Sequence, residues 1–171
     1  MKNSKSIHLT YGLVIALAMI VVNVILYVTG LAFKPGMQYI SEIPFLVGLI
    51  LNAQAFSKAN DGYVTFGQVF SSCFKASAII TLILLVWGFI SSAIFPEMQE
   101  KALEMARENM EKQGKMSDEQ IQTALDMTQK YFKLFMVAGV VFGTMFFGAI
   151  FSLIAAATAK KKGVPPVMPE L

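Results

Sequence analysis

One cysteine, one histidine and one tryptophan stand in 171 residues, and 15% of the side chains are charged, against about 25% in a typical soluble domain. Each scarcity excludes something. With Cys73 alone, no disulfide closes within the chain and no multi-cysteine zinc site can form. With His8 alone, there is no bis-histidine metal or haem site. A Ser, His and Asp set would need groups that are missing from the apolar runs, and no cofactor is expected. The low charge, an apolar fraction of 56% and a mean hydropathy of +0.61 leave more apolar surface than a soluble fold of this length can hide. The formal charge of +3 does not come from a basic stripe with interleaved aromatics, so nucleic acid is not an expected partner.

What is present is long hydrophobic runs. A bilayer core of about 30 Å is crossed by about 20 helical residues, because each peptide group must find its hydrogen bond within its own segment. Four stretches qualify, at about 9–31, 39–56, 69–95 and 134–159. The first is longer than the core of a signal peptide and has no small-x-small cleavage pattern before Lys34-Pro35-Gly36, so it is expected to stay in the mature chain. The second carries Glu42, Pro44, Asn52 and Gln54, with Pro44 tolerated in a first turn. Before the third, Asn60-Asp61-Gly62 signals a turn, and Thr65 with Gln68 forms a capping box flanked by Val64 and Val69 as a hydrophobic staple. The helix should therefore begin at Phe66. Its first turns, with Gln68, Ser71, Ser72 and Lys75, suit the membrane interface, where Lys75 can snorkel to water.

Residues 96–133 are the one long polar stretch, and they read as two helices. Pro96, Glu97 and Glu100 mark the start of the first, and Lys112, Gly114 and Lys115 mark its end. Ser117 and Gln120 form a second capping box, stapled by Met116 and Ile121. From Ser117 to Ala159 there is no proline and no glycine before Gly139, which predicts one continuous helix of about 42 residues, about 63 Å long. Met98, Ala102, Met105, Ala106 and Met110 on one arm can face Ile121, Leu125, Thr128 and Phe132 on the other. The expected architecture is thus an all-α integral membrane protein, one membrane domain over 1–171, with four transmembrane helices and an extramembrane helical hairpin stalk between the third and fourth.

Both ends of a four-span chain share a side. Lysine and arginine divide evenly between the two sides, but those on the termini side crowd the span ends, whereas the others lie mostly in a long loop where single charges count for less. The termini are therefore expected in the cytoplasm. The stalk holds every acid of the chain except Glu42, Asp61 and Glu170.

Several residues are candidates for more than architecture. Glu42 is the one carboxylate in a span, and interfacial placement near a helix start is favoured over a relay role. Asn23, Asn52 and Gln54 could line a polar path with it, although interhelical hydrogen bonding is the commoner use of such amides. Gly139, Gly143, Gly148 and Ser152 recur at near four-residue spacing and allow close helix approach, with another span of the same chain as the expected neighbour rather than a second copy. The stalk methionines Met98, Met105 and Met110, with Met116 and Met127, are either the soft core of the hairpin or an adaptable surface for a partner helix.

Several segments carry a family resemblance: Tyr11-Gly-Leu-Val-Ile-Ala-Leu17, Asp61-Gly-Tyr-Val-Thr-Phe-Gly-Gln68, Glu104-Met-Ala-Arg-Glu-Asn-Met-Glu-Lys-Gln-Gly114 with Ser117-Asp-Glu-Gln-Ile-Gln122, and Ser152-Leu-Ile-Ala-Ala-Ala157 before the lysine run. They resemble domain-of-unknown-function family 4199, bacterial membrane proteins mostly from Bacteroidota. The Gly-Tyr-x-Thr-Phe-Gly-Gln stretch is its most specific part. The resemblance implies four spans in the inner membrane of a diderm bacterium, with the stalk in the periplasm, and brings no activity. The expected function is non-enzymatic: an interaction or accessory protein whose acidic hairpin, residues 96–133, engages a protein partner. The alternative is a small-solute transporter or pore subunit built on the polar span residues.

Overall fold

The computed structural model describes residues 6–34 and 36–162. Among these, every regular element is helical: α1 (Ile7–Val28), α2 (Glu42–Ala59), α3 (Phe66–Ile94), α4 (Glu97–Gln113), α5 (Asp118–Lys130) and α6 (Phe132–Thr158), with short 3-10 turns at Leu31–Phe33 and Met37–Ser41. Four segments, Ile7–Val28, Tyr39–Ala59, Phe66–Ile94 and Phe132–Thr158, are long and apolar enough to cross a membrane. The protein is an all-α membrane protein.

Local chemistry sets most helix ends, and in one place it overrides hydropathy. α1 stops at Val28 although the apolar run continues to Leu31, because Gly30 adopts a left-handed φ of 70° and its N–H turns back to the Tyr27 carbonyl at 2.9 Å. The single helix expected over 117–159 is interrupted at Tyr131, where φ −106° and ψ 16° leave the helical basin and separate α5 from α6. Neither proline nor glycine causes this break. It falls where the amphipathic α5, which has its own apolar stripe to bury, gives way to the uniformly apolar α6, so the two helices need different headings.

The chain forms two compact units, one from the chain up to Ile83 together with the chain from Thr144, the other from Leu84–Gly143. In the first, small polar side chains share the interior with apolar ones, and large apolar side chains also cover the outside. Asn52, Ser77 and Ser152 are completely buried beside Phe45, Leu49, Cys73 and Ile80, whereas Val14, Val21, Leu82 and Phe146 lie 56–64% exposed. Lipid tails are as apolar as leucine, so nothing drives large side chains inward, and close contact of small residues holds the helices together. α1 meets α2 where Gly48 lies under Ile15, and meets α3 where Gly12 lies against Ile79. α6 meets α2 and α3 at Gly148, which lies against Ser77 and Phe45, and the Phe45 and Phe151 rings pack edge to face at 5.4 Å.

In the second unit α4 and α5 pack on each other. The buried residues of α5 are Ile121 and Leu125, and α4 buries none. Leu103, Met105, Ala106 and Met110 of α4 are half-buried, but Ala102, expected on the same face, is exposed. Leucine removes more apolar area from water than alanine, which favours a rotation that turns Leu103 inward and Ala102 out. Arg107 donates to the Gln122 side-chain oxygen, tying the two helices, and Gln122 donates onward to Asp126 at 2.8 Å. Lys112 and Glu108, 3.0 Å apart and both exposed, form an ion pair that contributes little.

Candidate functional site

The most elaborate chemistry of the first unit lies at the end where α2 hands over to α3. Asp61 and Gly62 take φ values of 55° and 80°, and the Gly62 N–H returns to the Ser57 carbonyl at 2.9 Å, closing the turn. Thr65 and Gln68 then exchange hydrogen bonds: the Thr65 N–H donates to Gln68 Oε1 at 2.9 Å, and the Gln68 N–H donates to Thr65 Oγ1 at 3.3 Å. Val64 and Val69, both buried, close the apolar side of this cap.

The same turn receives the lysine run that follows α6. Ser57 Oγ donates to the Lys160 carbonyl, and the Lys162 N–H donates to the Gly62 carbonyl at 2.7 Å. Lys161 Nζ caps the end of α6 on the Ala156 and Ala159 carbonyls and lies 5.7 Å from the Phe66 ring centre; Lys162 Nζ lies 5.5 Å from that of Tyr63. Cations over ring faces and at a helix C-terminus are both favourable placements. A Cβ at position 62 would come 3.2 Å from Lys162 Cγ, so Gly62 serves both the turn and the docking of the lysine run. Sequence reasoning read this motif as a helix cap only. The signal for the second role was the coincidence of Tyr63 and Phe66 with a lysine run nearly a hundred residues on, and no local rule joins residues so far apart.

Deeper in the same unit, Asn52 donates through Nδ2 to Ser72 Oγ at 3.4 Å and to Cys73 Sγ at 3.3 Å. Its Oδ1 and the Ser152 hydroxyl are buried without a hydrogen-bond partner. The four candidates for a polar path do not converge. Asn23 is exposed and bonds back to the Met19 carbonyl of its own helix at 3.1 Å; Gln54 is exposed and lines a surface cavity with Lys58 and Lys160. Glu42 is the first residue of α2, with one carboxylate oxygen buried and unpartnered, and only Asn52 lies in the core.

The small-residue stripe also divides. A Cβ at Gly148 would meet Ser77 Cβ at 2.7 Å, and Ser152 is fully buried, whereas Gly139 and Gly143 face open space. In the second unit Ser117 and Gln120 form the reciprocal cap at the start of α5. Met98, Met105 and Met110 are half-buried, while Met116 and Met127 are 41% and 59% exposed. Among the described residues no three His, Cys, Asp or Glu side chains gather as metal ligands would.

Four apolar helices, small-residue contacts inside and large apolar side chains outside define a multi-pass membrane protein. The chain belongs to the family described as Protein of unknown function (DUF4199), whose sequence profile matches residues 10–161. Comparison with curated proteins and with solved structures finds no match.

Proposed function

We propose that this is a non-enzymatic accessory protein of a bacterial inner membrane, with both termini in the cytoplasm, and that its α4–α5 element engages a protein partner in the periplasm. The observation that carries this reading is the surface of that element. α4 buries none of its residues, and Met116 of the α4–α5 turn with Met127 and Glu119 of α5 lines an open cavity of about 520 Å3, both methionines exposed. Flexible thioethers beside fixed charge make a surface that repacks around a partner helix. An enzyme would need converging titratable groups, and here His8, Glu42 and Cys73 belong to separate surroundings. A transport path would draw on Glu42, Asn23, Asn52 and Gln54, of which Asn52 lies in the core while Asn23 and Gln54 are exposed.

The test is photocrosslinking in cells from positions 116 and 127, with positions 105 and 110 on the half-buried face as controls. A single recurrent partner captured from 116 and 127, and lost when Glu119 is reversed to lysine, is the expected result. Adducts confined to α4, or to other copies of this chain, would overturn the reading.

A further inference from the structure

Beside the signature turn, three helices surround an open cavity of about 750 Å3, to which α1 contributes His8, α2 contributes Phe56, and α3 contributes Gln68, Ser71, Ser72 and Lys75. Among the described residues no carboxylate lines it. Its chemistry is that of an anion site. Lys75 is the basic side chain that shares this cavity with His8, and the first turn of α3 adds the positive end of its dipole.

Two hydrogen-bond donors are set in place by their other bonds. Gln68 Oε1 is occupied by the Thr65 N–H, which leaves the amide NH2 of Gln68 to donate. Ser72 is 4% exposed, and its oxygen accepts from Asn52 Nδ2 at 3.4 Å. That bond holds the hydroxyl at the cavity wall. Asn52 then has a role other than a polar path: it orients the Ser72 hydroxyl.

We propose that this cavity binds the phosphate of an anionic phospholipid headgroup. Free phosphate offers the same oxygens, but the cavity lies at the ends of spanning helices, where headgroups lie, and its Phe56 wall suits the apolar part of a lipid. The inference is independent of the partner proposed for α4–α5, since it uses neither helix.

The experiment is thermal melting of the purified full chain in a zwitterionic detergent, titrated with a short-chain phosphatidylglycerol and, separately, with inorganic phosphate. A saturable rise in midpoint with the lipid is expected. Lys75→Gln and Gln68→Glu should each weaken the apparent affinity about tenfold, the loss of one charge-assisted contact. Gln68→Glu is the sharper of the two, because glutamate keeps the capping box while placing negative charge in the cavity. Ser72→Ala should act in the same direction, and if it does not fold the other two decide. Lys58→Gln, on the same end but outside the cavity, should bind as the wild type does. No saturable rise, equal affinity in all variants, or an equal loss in Lys58→Gln would overturn the site, the last by showing attraction to overall charge alone. A response to phosphate without a further gain from the lipid would overturn the lipid as its occupant.

Discussion

Single residues in this protein matter by whether another helix lies on them, and chemically identical residues diverge accordingly. Gly148 and Gly143 both sit in α6, yet a methyl group at 148 collides with Ser77 Cβ at 2.7 Å and one at 143 meets nothing. Gly148→Ala should therefore lose about 1–3 kcal/mol of stability through overpacking. Gly143→Ala should be neutral or gain up to about 1 kcal/mol from helix propensity. Melting of the two variants in the same detergent checks both signs. The spacing was legible in the sequence, but which glycines it served was not, because spacing gives a stripe and not the neighbour that covers it. Asn52 shows the same limit: a mid-span amide announces that it needs partners, and only packing of α2 on α3 names Ser72 and Cys73.

Elements are held mostly by local rules, and those rules were readable. Ser117 and Gln120 bond reciprocally across the first turn of α5, at 2.9 and 3.4 Å, as the S-x-x-Q spacing requires. Ser117→Ala should cost about 1 kcal/mol. Its signature is faster hydrogen exchange at the Gln120 amide, with α6 unaffected. The docking of the lysine run is an element property of another kind, resting on the Tyr63 and Phe66 rings and on the Gly62 carbonyl. Tyr63→Ala should expose the Lys161 and Lys162 peptide bonds, read as trypsin cleavage there several-fold faster than in the wild type. Unchanged cleavage would mean that the backbone bonds to Ser57 and Gly62 hold the tail without the ring. The break at Tyr131 escaped local reasoning because no residue there breaks helices; the stripe of Ile121 and Leu125 must turn onto α4, a tertiary demand.

The whole molecule follows from the solvent it is built for. Four helices are long and apolar enough to cross a bilayer, so the C-terminus and the Gln113–Gly114 turn should lie on opposite sides. A paired reporter, fluorescent only in the cytoplasm at one site and active only outside it at the other, checks this. The reverse pairing would invert the orientation proposed above, and matching signals would remove a span.

The sequence by itself determined the number of spans, the helical class and both capping boxes, because each depends on hydropathy over a window or on residues three apart. Tertiary structure alone decided which small residues form contacts, that Asn52 turns inward while Asn23 and Gln54 turn out, and that the lysine run closes on the signature turn. The physical reason is the membrane. On a helix apolar on every side, hydropathy does not mark the face that meets protein, so facing is settled by shape and hydrogen bonding between helices far apart in the chain.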